Sequence, residues 1–333
     1  MTTSFPCLID MAAMRGRFAP SPTGYIHLGN VWTALLGWLQ VRRAGGTLVL
    51  RLEDIDTQRS KPEYAKALLE DLHWLGLDWD EGPDCGGPCG PYVQKQRYEH
   101  YDEALQILQQ KRLLYPCYCT RARLQAVAGA PHEGEHHLYD QHCYGLSERE
   151  RAAMGRTPSW RIHVPSETIC FVDGLYGRQE ATLSRSCGDY VVRRSDGMYA
   201  YQLAVSVDDA AMGITHVLRG RDLLDSTPQQ IWLIGLLGAE APQYMHVPML
   251  LDRQGHRISK RQQGITVRQL REQGLTAAQI LSYLAYAGGL LERFGEFTPQ
   301  QLVRRCQWER LSVHDITLPE DVFQVIYSLS QQK

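Results

Sequence analysis

The chain has 333 residues, 44% hydrophobic and 22% charged, the balance of a soluble globular protein with two to three domains and a sizeable core. Its net charge of −2 excludes nucleic-acid binding through a global basic field, so any such contact must use a local patch. No apolar run reaches the length of a membrane span, and nine cysteines in a long chain without a convincing secretory signal favour reduced thiols and a cytoplasmic location over a disulfide framework.

Met1, Met11 and Met14 leave the start of the protein open, and residues 1–13 read as a candidate disordered N-terminus. The stretch Arg17-Phe18-Ala19-Pro20-Ser21-Pro22-Thr23-Gly24-Tyr25-Ile26-His27-Leu28-Gly29-Asn30 then reads as a strand end, a loop punctuated by Pro and Gly, and a helix start. Leu28, Val31, Trp32, Leu35 and Leu39 recur at helical spacing until Ala44-Gly45-Gly46. A strand that feeds a helix start presents backbone N–H groups to an anion, and His27 and Asn30 add side chains able to bond phosphate oxygens. Residues 47–52 form a nearly continuous apolar strand suited to a parallel sheet, ending in Glu53-Asp54. Ser60 and Glu63 make a capping-box pattern around Pro62, and a helix with Leu68, Leu69, Leu72 and Leu75 on one face ends at Gly76. This alternation predicts a doubly wound α/β fold, with ligands beyond the carboxyl ends of the strands, where Ser21, His27 and Glu53 fall.

Residues 80–91 read as a Gly/Pro-rich loop in which Cys85 and Cys89 have no clear companion pair. A helix follows, with Tyr101, Ala104, Leu105 and Leu108 inward. Cys117-Tyr118-Cys119 allows two sulfurs to face one ion, and Cys143 returns a third; candidates for a fourth ligand are Tyr139, His142, His132, His136 and His137, imidazole being the usual choice. Residues 161–164 and 168–174 read as short strands, so residues 100–188 form an α+β insertion between two halves of the nucleotide-binding fold, 14–99 and 189–264. Arg112, Arg121, Arg123, Arg149, Arg151 and Arg156 are available to RNA phosphates, although each alone is more often a solvated charge. The fold is expected to resume with a strand at 189–194, a turn at Ser195-Asp196-Gly197, a helix reaching Asp209, a strand at 214–220, a helix capped by Ser226 or Thr227, and a strand at 244–251. A basic loop, His256 to Arg261, leads to a helical region at 265–333, with helices starting at Thr276, Thr298 and Pro319.

The pattern R-F-A-P-S-P-T-G-x-x-H-x-G resembles the first signature of class I aminoacyl-tRNA synthetases in its glutamyl form, with Asn30 in place of a second histidine. Y-x-L-A-x-x-V-D-D from Tyr201 and H-V-L-R-G-x-D-L-L around Arg219 also resemble glutamyl synthetases. Residues 257–261 resemble the second signature: Lys260 matches its second lysine, Arg257 replaces the first, and Arg261 the final serine. The resemblance covers about residues 15–261 and implies a Rossmann-like nucleotide-binding fold with a zinc-containing insertion and a short helical C-terminal appendix. It implies ATP with Mg²⁺ and L-glutamate as substrates, with His27, Gly29, Asn30 and Lys260 on the ATP and the chemistry. Arg17 and Arg219 would meet substrate carboxylate, and Glu53, Ser21 and Tyr201 the amino group and backbone of glutamate. The C-x-C…Y-x-x-x-C pattern of truncated relatives matches Cys117, Cys119, Tyr139 and Cys143 as zinc ligands, with a longer insertion that keeps a histidine swap open.

Only 73 residues (333 minus 260) follow Lys260, too few for a large helical anticodon-binding domain. The resemblance therefore points to truncated paralogues that activate glutamate without tRNA and attach it to the queuosine base in the anticodon of tRNA(Asp); no obligate protein partner is called for. The alternatives are a shortened glutamyl-tRNA synthetase charging tRNA(Glu), a catalytically idle zinc-containing RNA-binding protein, and a small-molecule adenylyltransferase.

Overall fold

The computed structural model describes residues 13–128, 138–258 and 265–332. The expectations for residues 1–12, for His132, His136 and His137, and for Lys260 and Arg261 lie outside the described residues.

The chain opens with β1 (Arg15–Phe18), α1 (Leu28–Arg43), β2 (Thr47–Leu50), α2 (Pro62–Leu75) and α3 (Tyr98–Gln110). It continues through β3 (Leu114–Cys117), α4 (Arg121–Ala128), α5 (Glu148–Ala153), β4 (Ser159–Ile162), β5 (Thr168–Asp173), β6 (Gly177–Thr182), α6 (Leu183–Ser186) and β7 (Tyr190–Arg193). Then come α7 (Tyr201–Ala211), β8 (His216–Gly220), α8 (Thr227–Leu236), β9 (Gln243–Val247) and β10 (Leu250–Leu251). The last elements are α9 (Val267–Glu272), α10 (Ala277–Ala287), α11 (Pro299–Arg305), β11 (Ile316–Thr317) and α12 (Val322–Gln331).

The expected α/β fold is present. β2, β1, β8 and β9 form a parallel sheet in that order. The chain leaves β1 toward β2 on one side and returns on the other with β8 and β9. The ends of β1 and β8 therefore flank a topological switch point, the ordinary ligand crevice of such sheets. A separate antiparallel sheet runs β3-β4-β7, and β5 pairs with β6 as a hairpin. The strand expected at 189–194 thus forms, but it pairs with β4 and stays outside the parallel sheet.

α1 is apolar on nearly all sides because it is covered on nearly all sides. Leu28, Val31, Trp32, Leu35, Leu36 and Leu39 are all buried. One side meets the parallel sheet, and α10 and α11 cover another. Trp32 is the pivot of that packing: its Nε1 donates to the Pro248 carbonyl at 2.8 Å, and a side chain at Gly288 would run into its ring. The main core is consequently continuous from the sheet into the C-terminal helices.

Several helix starts differ from expectation for local reasons. Ser60 does not cap α2: its N–H turns back to the Asp56 carbonyl, and Lys61 becomes the N-cap, with Pro62 at the first position. Ser226 is the N-cap of α8 but makes no side-chain capping bond: a 3₁₀ turn over Arg221–Ser226 precedes the helix, Ser226 Oγ donates to Leu223 O, and Thr227 is taken up by Leu223 and Arg219. α12 starts at Val322 under an Asp321 cap, later than Pro319, because Leu318 bonds back to Leu251. The strand expected over 244–251 breaks between β9 and β10 at Pro248, which has no N–H to give a ladder. Thr276 and Thr298 do cap their helices, each in a full capping box.

Arg17, Arg51, Arg97, Asp208 and Asp209 form a buried charged cluster. Asp208 accepts from Arg97 Nε at 2.6 Å, Gln94 Nε2 at 2.8 Å and Tyr101 Oη at 3.0 Å, and lies 3.6 Å from Arg51 Nε. Asp209 meets Arg51 Nη1 at 2.8 Å and Arg17 Nε at 3.5 Å. Removing one partner from such a network strands the others without water. Asp208→Ala should therefore lower unfolding free energy by about 3–5 kcal/mol in urea denaturation, and a loss within experimental error would contradict this account.

Candidate active site

A cavity of about 620 Å³ opens at the carboxyl ends of β1 and β8. Arg17, Ser21, His27, Gly29, Asn30, Glu53, Tyr201 and Arg219 all line it. Every site residue expected from the sequence is thus brought to one cavity, apart from Lys260, which lies outside the described residues, and the cysteine group treated below. Arg257 and Ile258, just before Lys260, reach the same wall, and Arg257 is ion-paired with Asp222.

The loop between β1 and α1 is held by its carbonyls. Arg51 N–H donates to Phe18 O at 3.0 Å, Glu53 N–H to Pro20 O at 3.0 Å, and Lys61 N–H to Pro22 O at 3.1 Å. The residues after β2 therefore continue its pairing past the last regular strand position and fix the backbone of Ser21. At the helix start, His27 is the N-cap with extended backbone, and its Nδ1 accepts the Gly29 N–H at 3.1 Å. That bond puts the ring proton on Nε2, the other end of the ring. The first turn of α1 has no acidic residue to cancel its positive end. A Cβ at Gly29 would press on the His27 ring at 3.1 Å, so glycine keeps the helix start and the histidine together.

Arg17, Glu53, Tyr201 and Arg219 also line the cavity, and the fully buried Arg51 backs Glu53 from outside it. Arg51 Nη2 meets Glu53 at 3.1 Å while its other nitrogens face Asp208 and Asp209. Burial opposes the Arg51 charge, but Asp209, Asp208 and Glu53 more than offset it and raise its pKa. Burial also raises the Glu53 carboxyl, against the pull of Arg51 and Arg17. The Tyr201 hydroxyl is pushed up to about 12, first by burial and then by Glu53, so it stays a neutral phenol. Arg219 differs from Arg17 and Arg51, which meet carboxylates. Its Nε donates to His246 Nε2 at 3.0 Å, Nη1 to Gln230 Oε1 at 2.6 Å, and Nη2 to Thr227 Oγ1 at 2.8 Å and Leu223 O at 3.4 Å. Among the described residues it meets no carboxylate directly, and burial lowers its pKa. Sequence reasoning missed Arg51, Gln230 and His246. The adjacent Asp208-Asp209 pair closing an apolar helix was the visible sign of buried partners.

The expected cysteine group also assembles. The sulfurs of Cys117, Cys119 and Cys143 lie within 4.8 Å of one another. Tyr139 Oη is 3.4 Å from both Cys117 and Cys119 Sγ, and Cys119 and Cys143 Sγ are 3.6 Å apart. Tetrahedral zinc with 2.3 Å sulfur bonds would need edges of roughly 3.8 Å, close to these separations. His142 is exposed, and among the described residues no histidine joins the three sulfurs. Arg161 stacks 3.8 Å over the Tyr139 ring and donates to Cys117 Sγ at 3.3 Å. Burial pushes the Cys117 thiol up, but hydrogen bonds from Tyr139, the Cys119 backbone and Arg161 outweigh it and bring it down to about 7. Arg123, a candidate RNA contact, is committed here to Asp140 at 2.6 Å and to Cys119 Sγ at 3.5 Å. Cys89 packs instead against Arg15 in a buried cluster with Glu81 and Tyr92, while Cys85 is exposed.

A family model for tRNA synthetases class I (E and Q), catalytic domain, matches residues 13–320. The chain is 49% identical over 313 residues to the Glutamyl-Q tRNA(Asp) synthetase of Nitratidesulfovibrio vulgaris, spanning 93% of this chain and 97% of that one. It is 44% identical over 278 residues to the Glutamate–tRNA ligase of a Sulfurihydrogenibium species, spanning 82% of this chain and 58% of that one. The solved glutamate-tRNA synthetase of Elizabethkingia anophelis superposes with a TM-score of 0.82 at 27% identity, over 94% of this chain and 70% of that one. With that match running through the parallel sheet, the cavity at its switch point and the C-terminal helices, the chain belongs to the class I tRNA synthetases (E and Q), enzymes of ligase type.

Proposed function

We propose that this enzyme activates L-glutamate with ATP, without tRNA, and transfers the glutamyl group to the queuosine base in the anticodon of tRNA(Asp). A glutamate carboxylate oxygen attacks the α-phosphorus of ATP, the bond to pyrophosphate breaks, and glutamyl-adenylate forms. A hydroxyl of the modified base then attacks the acyl carbon, and AMP leaves with the electron pair of the broken bond. ATP brings Mg²⁺ on its phosphates. No protein nucleophile is needed; the site aligns the reactants and stabilises charge on phosphate oxygens. His27 through Nε2, Gly29 and Asn30 at the start of α1, and Lys260 beyond the described residues, take that role.

The observation that carries the amino-acid assignment is Arg219, a buried cation whose hydrogen bonds go to neutral acceptors, on the same cavity as Arg17 and Glu53. Glutamate brings two carboxylates and one ammonium. Its carboxylates suit the two arginines, and its ammonium suits Glu53, with Ser21 and Tyr201 on its backbone. A neutral side-chain amide would leave the arginine charge uncompensated in a buried site, which disfavours glutamine. The acceptor assignment is supported by the higher identity to relatives named Glutamyl-Q tRNA(Asp) synthetase, at 49% and 48% with nearly full coverage of each. We read residues 14–99 and 189–264 as the two halves of the catalytic fold, with β7 at the start of the second half pairing into the insertion's sheet, 100–188 as the insertion, and 265–333 as the helical subdomain. The insertion is held by one structural zinc on Cys117, Cys119, Cys143 and Tyr139.

Incubation with ATP and labelled glutamate should label queuosine-containing tRNA(Asp), and neither tRNA(Asp) lacking the base nor tRNA(Glu). Label on tRNA(Glu) would favour the shortened glutamyl-tRNA synthetase reading. His27→Ala should cost about 2.7–4 kcal/mol of transition-state stabilisation, a drop of roughly a hundredfold to a thousandfold in glutamate-dependent ATP–pyrophosphate exchange, with the circular dichroism spectrum unchanged. Exchange at the wild-type rate would remove His27 from the chemistry. Elemental analysis of the purified protein should find about one zinc per chain, lost in Cys119→Ala; a zinc-free wild type would sink the metal site.

A further inference from the structure

We propose that Asp173 and His246 form a positioning pair that aims Arg219 into the cavity. The proposal rests on the reading of that cavity as the glutamate site. Both side chains of the pair are fully buried, and neither lines the cavity itself.

The hydrogen bonds around the pair fix where each proton sits. Asp173 Oδ1 accepts the backbone N–H groups of Leu175 at 3.0 Å and Tyr176 at 2.9 Å. Its Oδ2 accepts the backbone N–H of His246 at 3.0 Å and faces ring Nδ1 at 2.6 Å. A carboxylate surrounded by donors takes the ring proton on Nδ1, which leaves Nε2 with its lone pair. That lone pair lies 3.0 Å from Arg219 Nε, which can only donate. Thr227 Oγ1 also lies 3.1 Å from Nε2, but it already accepts from Arg219 Nη2 and has a carbonyl, Leu223 O, at 3.0 Å for its single proton. The other neutral tautomer of His246, or its protonated form, would set N–H against N–H and push the guanidinium aside. Burial, the largest influence on the His246 pKa, keeps the ring neutral, although the hydrogen bond to Asp173 pulls the other way.

With Nε, Nη2 and one proton of Nη1 fixed in this way, the guanidinium has one remaining Nη1 proton among the described residues for an oxygen in the cavity. A rigid aim matters because a small displacement of a charged contact is costly in a water-poor site. The pair also crosses between parts of the fold. Asp173 ends β5, in the hairpin outside the parallel sheet, while His246 belongs to β9 and lies directly across from Arg219 of β8 in the ladder. The hairpin backbone bonds to β9 at the same point, through Gly174 N–H to Tyr244 O at 2.9 Å.

The test has one readout that needs no substrate. Side-chain nitrogen NMR of the wild-type protein should find His246 protonated at Nδ1 and bare at Nε2, and Arg219 Nε–H protected from solvent exchange. Asp173→Ala should lose that protection. In ATP–pyrophosphate exchange, His246→Phe keeps the ring volume but offers no acceptor, so its KM for glutamate should rise by about tenfold or more while the KM for ATP stays within about twofold. His246→Gln, which restores an acceptor oxygen, should recover much of the loss. An Nε2 proton in the wild type, an unchanged glutamate KM in His246→Phe, or equal losses for glutamate and ATP would each overturn the pair. A wild type inactive with glutamate would defeat the functional reading, and the tautomer and the Nε–H protection would still decide the pair.

Discussion

The fully buried guanidinium of Arg51 is the interaction on which the rest depends. It bridges Glu53 just past β2 with Asp208 and Asp209 on α7, and Asp209 in turn meets Arg17 on β1. Elements far apart in sequence, β1, the end of β2 and α7, are thereby tied together. A cluster of this kind is costly to desolvate and tolerates few alternative geometries, which suits a site where charged groups must point in set directions. Glu53 and Arg17 face the cavity with their opposite ends already spoken for.

The cavity has two chemically different walls because two kinds of backbone feature meet at the switch point. The start of α1 supplies N–H dipoles and an oriented histidine, which suit phosphate. The ends of β1 and β8 supply arginines, which suit carboxylate. The helix that supplies the first wall is held by Trp32, whose ring fills the space that Gly288 leaves open. The C-terminal helices therefore support the phosphate wall although they contribute little to the lining.

Two parts of the molecule outside the parallel sheet bear on this arrangement. The cysteine group ties α4's approach and the segment after residue 138 to the β3-β4-β7 sheet, through Arg161, Arg123 and Tyr139. The β5–β6 hairpin sends Asp173 back to the parallel sheet.

Much of the site was legible in the sequence, because its parts are local. Proline and glycine spacing marks the β1–α1 loop, His27 and Asn30 lie at a helix start that periodicity defines, and C-x-C and Y-x-x-x-C bring donors close along the chain. The alternation of strand and helix determined a parallel sheet and, with it, a crevice at the strand ends. What only the tertiary structure decided are the pairings between distant segments: Arg51 with Asp208 and Asp209, β7 with β4, and Asp173 with His246. The helix start expected at Pro319 belongs here too, since Leu318 bonds to Leu251 in a distant segment, whereas those at Ser60 and Thr227 were displaced by bonds to nearby residues. Periodicity reports which face of an element is buried; it carries no information about which buried polar group meets which, because that depends on where separate elements come to rest in space.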